Sequence, residues 1–451
     1  MVLIYTTKAT ARLQYTAAFI FKEIIKTPYA ITSHADSFRK FDGVKINYTG
    51  EIIAEDELII PNCGLLFESG VRPVSIDAFE FNGSTAFFKS PSYKPVSATT
   101  TPYHKEYAFD IFSATFYLLS RYEEYLPHEK DKYGRFHHTN SIAYKENFLH
   151  LPLINIWLKD FTETLKKYSP VINYQLPSYK FTPTYDIDIA WSFLNKGLAR
   201  NTGGALKSLT RLGFHSIFER IKVLAGNEKD PFDNYDWLHH LHTKFEMKPE
   251  YFFLVAEKNG LYDKNISPRS EAMQLLIKEH SGKYKIGLHP SWQSGENEKI
   301  LKNEKQLLEK ITGSVIIGSR QHYLRFTLPA GYRRLLDAAL TEDYSMGYGS
   351  TNGFRASVAA PFFWYDLEKE EQTKLRVHPF CFMDSQIFFS KKITLDQGYN
   401  ELMHYYTVCK NTGSHFISIF HNHLLGSDNI EWRKLYERFL ANAAAEKSGV
   451  H

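Results

Sequence analysis

Residues 181–188 read FTPTYDID, and this stretch decides the expected fold. Its aromatic and β-branched residues predict a buried strand, and the aspartates at its end predict the start of a loop. Asp186 and Asp188 are two residues apart, so on a strand they point to the same face. Two carboxylates on one face repel each other and need a cation or a proton between them. A turn that carries two solvated aspartates is the alternative interpretation.

The chain after this strand repeats a rhythm of strand, loop and helix. Further strands are predicted at Tyr251–Val255, Tyr284–Leu288, Ser314–Ser319, Tyr344–Tyr348, His378–Met383 and Phe416–Phe420. Strands that alternate with helices predict a parallel sheet and an α/β fold. Seven such units over about 250 residues fit a TIM-like seven-stranded βα barrel better than an open sheet.

Nearly every predicted strand ends in a residue that can bind a metal or transfer a proton. The motifs are GLHPSW at 287–292, SRQHYLRF at 319–326, GFRAS at 353–357, FMDS at 382–385 and FHNHLL at 420–425. In parallel barrels the catalytic residues collect at the carboxyl ends of the strands. Each motif alone is more typical of core packing or loop capping, but the whole set at one structural position favours a shared site.

Two histidines at neighbouring strand ends complete a candidate metal site with Asp188. His289 follows the third predicted strand and His322 follows the fourth, so we expect the two imidazoles to be spatial neighbours. One carboxylate and two imidazoles around an open position form a common catalytic site for a divalent metal such as Zn²⁺. For either histidine alone, a hydrogen-bonded structural role is the competing interpretation.

In this order the motifs resemble those of the polysaccharide deacetylases of the NodB-homology type, carbohydrate esterases with a seven-stranded βα barrel. The similarity covers about residues 179–425. TYDID resembles the family's first motif, which implies that Asp186 is the general base and Asp188 a metal ligand. GLHPSW resembles the second motif, His-x-x-x-His, with His289 as its first histidine.

The second motif departs from the family pattern, because Gln293 stands where the second histidine is expected. We expect His322 to substitute for it from the adjoining strand end. GFRAS resembles the third motif, which implies that Arg355 pairs with and orients Asp186.

The last two motifs complete the resemblance. FMDS and FHNHLL resemble the fourth and fifth motifs, which implies that His421 is the general acid and that Asp384 tunes its pKa. Trp292, Arg320 and Tyr323 at the same strand ends are candidates for contact with the substrate. Core packing is the competing use for such an aromatic ring.

The resemblance implies a metal-dependent hydrolase that removes N-linked or O-linked acetyl groups from a glycan or sugar conjugate. The alternative is a catalytically inactive barrel that binds a glycan without a metal and does not cleave it. Gln293 is the residue that motivates this alternative.

Residues 1–177 have a different rhythm and are expected to form an N-terminal α+β module, ahead of the barrel at residues 178–451. FDIFSATFYLLSRYEEYL at 109–126, with DKYGRF at 131–136, is similar to an uncharacterised module that precedes such barrels in bacterial proteins. Its charged residues form either an interface or the salt-bridge face of a helix, and the helix face is favoured. These residues are Arg121, Glu123 and Glu124.

The net charge bears on which partners the chain can bind, and its terminal segments and cysteines bear on the compartment. The formal net charge is +4 over 451 residues, which predicts no nucleic-acid partner. The insertion at 197–230 is basic and amphipathic between Gly197 and Gly226. A solvated helix or a lid over the barrel mouth is favoured there, and peripheral membrane contact is the alternative. Because no signal peptide, spanning segment or disulfide framework is visible, we expect a cytoplasmic protein; the oligomeric state is not indicated.

Overall fold

The computed structural model describes residues 1–92, 106–169, 174–197, 201, 214–391 and 393–445. Its strands form one nine-stranded sheet, one four-stranded sheet and one two-stranded hairpin. Within these ranges, no helix is both long enough and apolar enough to cross a membrane.

The N-terminal module (residues 1–177) is built on a parallel sheet with the strand order β2-β1-β3-β4. The strands are β1 Val2–Tyr5, β2 Tyr29–Thr32, β3 Val44–Asn47 and β4 Glu57–Ile59. A separate antiparallel hairpin joins β5 Phe79–Phe81 and β6 Ser84–Ala86. Parallel neighbours need crossover connections. This sheet is therefore closer to an α/β arrangement than to the α+β arrangement expected from the sequence.

The helices of the N-terminal module share one apolar core with this sheet. They are α1 Ala11–Ala17, α2 Ala35–Arg39, α3 Ile111–Leu119, α4 Ile142–Lys145 and α5 Leu153–Tyr168. Helix α3 is buried along its whole length, and its N-cap Asp110 accepts from the backbone N–H of Ser113. Helix α1 continues as a π-helix over Ala18–Ile24. In α5 the apolar residues recur with helical spacing, and Leu158, Phe161 and Leu165 are buried in the core.

The large sheet has the order β12-β13-β11-β10-β9-β8-β7-β15-β14. Its strands are β7 Lys180–Ile187, β8 Glu250–Leu254, β9 Lys285–His289, β10 Gly318–Ser319, β11 Glu342–Asp343, β12 Phe362–Asp366, β13 Glu371–Val377, β14 Phe382–Met383 and β15 His415–His421. All neighbours are parallel except the antiparallel pair β12 and β13. The predicted α/β class is confirmed.

The helices of the second part of the chain follow these strands. They are α6 Phe214–Leu224, α7 Tyr235–Lys244, α8 Glu271–Ser281, α9 Glu298–Thr312, α10 Ala330–Asp337, α11 Leu395–Asn411 and α12 Ile430–Ala445. Helix α11 begins with a capping box in which Thr394 and Gln397 satisfy each other's backbone N–H groups.

A closed barrel of seven strands is not seen among the described residues. No hydrogen-bonded ladder joins β12 to β14, the two strands at the ends of the sheet. The sheet has nine strands and not seven, in part because of the β12–β13 hairpin, which the sequence did not predict. However, only residues 378–381 separate β13, near one end of the strand order, from β14 at the other. The sheet must therefore curve until its two ends approach each other.

The basic insertion is only partly described. The described ranges do not include residues 198–200 and 202–213, which contain most of the basic residues between Gly197 and Gly226. Helix α6 lies at the C-terminal end of the insertion, and the side chains of its residues Phe218, Ile221 and Leu224 are exposed. The lid and membrane interpretations of this insertion remain predictions.

A buried ion cluster joins the N-terminal module to the large sheet. Glu124 accepts from Arg355 Nε at 2.9 Å and Nη2 at 2.6 Å, and from Arg121 Nε at 2.8 Å. All three side chains are about 2 % exposed. Arg121 and Glu124 pair with each other, but they do so in a buried interface and not on the salt-bridge face of a helix, which was the favoured interpretation. Burial raises the pKa of Glu124, but the two guanidinium groups outweigh it and lower the pKa to about 2.

Replacing Glu124 by Gln leaves two buried guanidinium groups without a counter-charge. We expect a loss of about 3 to 5 kcal/mol in the free energy of unfolding at neutral pH. Because the folded pKa of about 2 is below the ordinary value of 4.5, the stabilisation is present above pH 4.5 and lost as the pH falls toward 2. Urea unfolding of both proteins at several pH values measures this, and their difference should shrink below pH 4.5. Glu129→Gln, at an exposed position, serves as control, and a pH-independent difference would contradict the assignment.

Candidate metal centre and active site

Three parallel strands bring the main acidic and imidazole groups to one edge of the large sheet. Asp186 on β7 is the register partner of His421 on β15. His289 is the last residue of β9, two strands away across β8. Because parallel strands end at a common edge, residues far apart in sequence become neighbours there.

Asp188, just beyond β7, lies at the centre of this group. Its Oδ1 is 3.1 Å from His289 Nε2, and its Oδ2 is 3.6 Å from His322 Nε2. One ligand atom from each of these three residues can be chosen so that all lie within 4.8 Å of one another. The structure therefore brings together the three side chains that the sequence predicted as metal ligands.

The outer nitrogen of each imidazole is held by a second group. His289 Nδ1 lies 2.5 Å from the carbonyl oxygen of Arg320, and His322 Nδ1 lies 2.8 Å from Asp263 Oδ1. Because a carbonyl oxygen only accepts, His289 donates from Nδ1, and the Nε2 lone pair of its neutral form then faces Asp188. The contact with Asp263 engages Nδ1 of His322 in the same way, so its Nε2 is also the atom on the side of Asp188. Outer partners of this kind are typical of metal-binding histidines.

One further observation fits a divalent metal ion. Asp188 Oδ1 is buried and accepts no hydrogen bond from the described residues. A buried carboxylate oxygen without a partner is costly, and a cation between it and two imidazole lone pairs would satisfy it. The donor set, one oxygen and two nitrogens, suits a divalent transition metal or zinc.

The charges of these groups are strongly coupled. Burial favours the neutral form of Asp188, but the neighbouring His322 and His289 outweigh it and hold its pKa well below the usual range. Burial lowers the pKa of His322, but the carboxylates of Asp188 and Asp263 outweigh it and raise the pKa to about 9. A metal ion at this point therefore competes with protons for the imidazole nitrogens.

Asp186 is held by a different arginine from the one expected. Arg320 Nη1 donates to Asp186 Oδ1 at 2.8 Å and to Thr184 Oγ1 at 2.8 Å, and its Nε donates to the carbonyl of Tyr344. Arg355 instead pairs with Glu124 in the buried cluster described above. The expected pairing of Arg355 with Asp186 is therefore not seen, because the interface with the N-terminal module already engages that guanidinium.

Arg320 was predicted to contact the substrate, and its position does not suit that role. Its side chain is fully buried beneath Asp186, with the ring of Phe252 4.3 Å from the guanidinium carbon. A side chain enclosed in this way can orient Asp186 but cannot reach a ligand in the cavity.

His421 lies on the opposite side of Asp188 from His289. Its Nδ1 is 2.6 Å from Asp384 Oδ1, and its Nε2 is 3.7 Å from Asp188 Oδ2. Burial lowers the pKa of His421, but the carboxylate of Asp384 outweighs it and raises the pKa to about 10. The structure thus places together the pair that the sequence resemblance suggested, with the imidazole protonated at neutral pH.

These groups line one cavity of about 830 Å³. Asp186, Asp188, His289, His322 and His421 all contribute to it. The volume is within the range of small-molecule sites. Its walls also include residues that the sequence did not single out, namely Tyr133, Arg135, Tyr262, Ser350, Gln386 and His423.

Two residues near the cavity play parts that differ from the expectation. Trp292 is not among the described residues that line the cavity; it stacks on Tyr262 at 4.0 Å, with Arg325 on its ring at 4.3 Å. Tyr323 does line the cavity, and its contact with a substrate stays a prediction. Gln293 is exposed and does not join the group of ligand atoms.

Asp263 is a further site residue that sequence reasoning missed. It comes from the loop after β8, accepts from His322, and also accepts from the backbone N–H of Trp292. No motif spacing signals it, because an outer partner of a histidine can come from any neighbouring loop.

One family model matches the N-terminal part of the chain. Residues 2–170 match the model of a family of unknown function, DUF7033. No curated protein matches the chain.

Solved structures resemble the chain over about 60 % of its length. A putative polysaccharide deacetylase from Mycobacterium smegmatis has a TM-score of 0.39 at 12 % identity, covering 60 % of this chain and 85 % of that chain. A probable polysaccharide deacetylase from Pseudomonas aeruginosa PAO1 has a TM-score of 0.38 at 12 % identity, covering 59 % and 85 %. PuuE allantoinase has a TM-score of 0.38 at 12 % identity, covering 59 % and 84 %. A likeness this distant concerns the fold alone.

Replacing Asp188 by Asn should abolish stoichiometric binding of a divalent metal, because the remaining imidazoles lose the only anionic ligand of the group. Metal content per chain, measured by mass spectrometry after dialysis against Zn²⁺, checks this. His240→Ala, at an exposed position on α7, should keep one metal per chain. Unchanged metal content in Asp188→Asn would contradict the site.

Replacing Asp263 by Asn should weaken metal binding without abolishing it. The change keeps the shape of the side chain but removes the charge that supports His322, and loss of such a partner costs about 10-fold to 100-fold in affinity. Competition with a fluorescent chelator gives the affinity. Asp337→Asn, on the exposed side of α10, is the control. Equal affinities in wild type and Asp263→Asn would contradict the supporting role of the Asp263 charge.

Proposed function

We propose that the chain is a metal-dependent hydrolase that removes N-linked or O-linked acetyl groups from a glycan or sugar conjugate. The observation that carries the proposal is the convergence of two imidazole Nε2 atoms on Asp188 at the floor of a cavity. Asp186 and His421 beside this group provide a base and an acid. The motif order along the chain supports the choice of an acetyl group.

The metal site would use Asp188, His289 and His322. A divalent metal, for which we propose Zn²⁺, supplies a Lewis acid that acidifies water and polarises the acyl carbonyl. His289 and His322 are prepared for this task because their outer nitrogens are already engaged by Arg320 and Asp263.

Asp186 serves as the general base. Arg320 donates to Asp186 Oδ1, while Asp186 Oδ2 faces the site and lies 3.9 Å from His289 Nε2. The free oxygen is therefore positioned to take a proton from the attacking water. Arg320 acts as a positioning residue, in the place that the resemblance assigned to Arg355.

His421 serves as the general acid. Asp384 engages its Nδ1 and accepts from its backbone N–H at 2.8 Å, so the proton on Nε2 points into the cavity. A pKa of about 10 keeps this proton in place at neutral pH. His421 can then protonate the leaving amine or alkoxide as the bond to the acyl carbon breaks.

The arrangement of the chain supports a division of tasks. We propose residues 178–451 as the hydrolase module, with a barrel of the deacetylase type. Only four residues of the chain connect β13 to β14, which lie near opposite ends of the strand order, so the large sheet must curve as it does in a barrel. Residues 1–177 form the accessory module. A bacterial source, a cytoplasmic location, a lack of nucleic-acid partners and membrane contact through 197–226 stay predictions.

The second candidate is a glycan-binding barrel without metal or activity. Gln293, in place of the second histidine of its motif, is the observation that favours it. His322 weakens this case, because its Nε2 supplies a second imidazole nitrogen near Asp188.

Acetate release tests the proposed reaction. The Zn²⁺-loaded full chain is incubated with N-acetylated chito-oligosaccharides and with O-acetylated xylo-oligosaccharides, and acetate is measured enzymatically. Asp186→Asn and His421→Ala should each lower kcat by about 10²-fold to 10⁴-fold while metal content is retained. His240→Ala should match wild type.

Two outcomes would contradict the proposal. One is a chain that holds one metal and releases no acetate from either class of substrate. The other is an Asp186→Asn variant with wild-type kcat. The first result would rule out deacetylation of these two substrate classes, and the second would exclude Asp186 as the general base.

A further inference from the structure

The cavity that holds the metal group is lined by both parts of the chain. Residues of the loop 131–137 in the N-terminal module lie on its wall, facing the strand ends of the large sheet. This loop contains the DKYGRF stretch, for which the proposed reaction has no use. Its position next to the reacting groups suggests that it contacts the same ligand.

Arg135 fixes this loop to the large sheet. Its Nη1 donates to the carbonyl of Tyr323 at 2.7 Å and its Nη2 to the carbonyl of Gly349 at 3.1 Å, while Asp131 accepts from its Nε at 2.7 Å. Arg135 is only 7 % exposed. A Cβ on Gly349 would lie 1.8 Å from Arg135 Nη1, so this contact requires glycine. The loop is therefore held in one position at the cavity.

Three tyrosines form an aromatic wall beside the metal group. Tyr133 from the anchored loop lies 5.3 Å from Tyr323 and 6.1 Å from Tyr262, measured between ring centroids. Tyr262 and Tyr323 are 5.2 Å apart, and Trp292 supports Tyr262 from behind. The ring of Tyr323 is also 4.7 Å from that of His322, so the wall begins at a metal ligand.

We propose that Tyr133, Tyr262 and Tyr323 form a subsite for a sugar ring next to the one that carries the acetyl group. This inference rests on the proposed function. Aromatic rings pack against the apolar C–H face of a sugar, and their hydroxyl groups hydrogen-bond to its rim. The same cavity wall carries the polar groups that sugar hydroxyls need, including Gln321 and Ser350. The N-terminal module thereby helps to select the substrate.

Binding without turnover provides the direct test. The probes are penta-N-acetylchitopentaose and an O-acetylated xylo-oligosaccharide, titrated calorimetrically into the full, Zn²⁺-loaded chain carrying Asp186→Asn. Tyr133→Ala in this background should weaken binding about tenfold, which is the loss of roughly 1.4 kcal/mol. Tyr133→Phe should retain most of the affinity, because it keeps the ring.

Two further variants separate loop position from ring loss. Gly349→Ala should displace Arg135 and weaken binding to a similar extent, although Tyr133 is intact. Tyr144→Ala, at an exposed tyrosine of the same module, is the matched control and should bind as the parent. Circular dichroism and metal content must match in all variants.

The outcomes distinguish this subsite from the proposed reaction. Binding that depends on Tyr133 supports the subsite even if the otherwise wild-type chain releases no acetate, a result that would contradict only the reaction. Acetate release with the same KM in Tyr133→Ala as in wild type overturns the subsite and leaves the reaction standing. Absence of binding to either probe, or equal affinity in Tyr133→Ala and Tyr144→Ala, also overturns it.

Discussion

The carboxylate of Asp188 lies among the Nε2 atoms of His289, His322 and His421, and the rest of the site depends on that contact. A buried anion with one unpartnered oxygen requires positive charge nearby. Each imidazole is turned toward it by a second group on its outer nitrogen: a carbonyl oxygen for His289, and the carboxylates of Asp263 and Asp384 for the other two. Orientation of the rings is thus built into the surrounding loops before any ligand arrives.

Two buried arginines divide the remaining electrostatic tasks. Arg320, buried next to Asp186, orients that carboxylate, and Arg355 is bound by Glu124 of the N-terminal module. Removing the carboxylate from either pair would leave a guanidinium group buried without a counter-charge, which is strongly unfavourable. The same interface carries Arg135, whose contacts place the loop 131–137 at the cavity. The two modules are therefore joined by contacts that also shape the site.

Much of the site could be predicted because strand ends are marked in the sequence. Asp188, His289 and His322 each follow an apolar run, and parallel strands bring such positions to one edge. Arg320 and Arg355 could not be assigned in this way, because both belong to the quoted motifs and either guanidinium could pair with a carboxylate. The choice depends on Glu124, more than two hundred residues earlier in the chain. Likewise, the β12–β13 hairpin adds strands that the alternation of strands and helices in the sequence did not predict.

The sequence by itself determined the α/β class, the long strands β7 and β15, and the residue types that gather at one edge of the sheet. Those features follow from local periodicity and from the geometry common to all parallel strands. Only the tertiary structure decided which arginine holds Asp186, which carboxylate supports His322, and that Tyr133 reaches the cavity from the N-terminal module. These contacts join distant loops whose approach depends on packing of the whole chain, so no local pattern in the sequence encodes them.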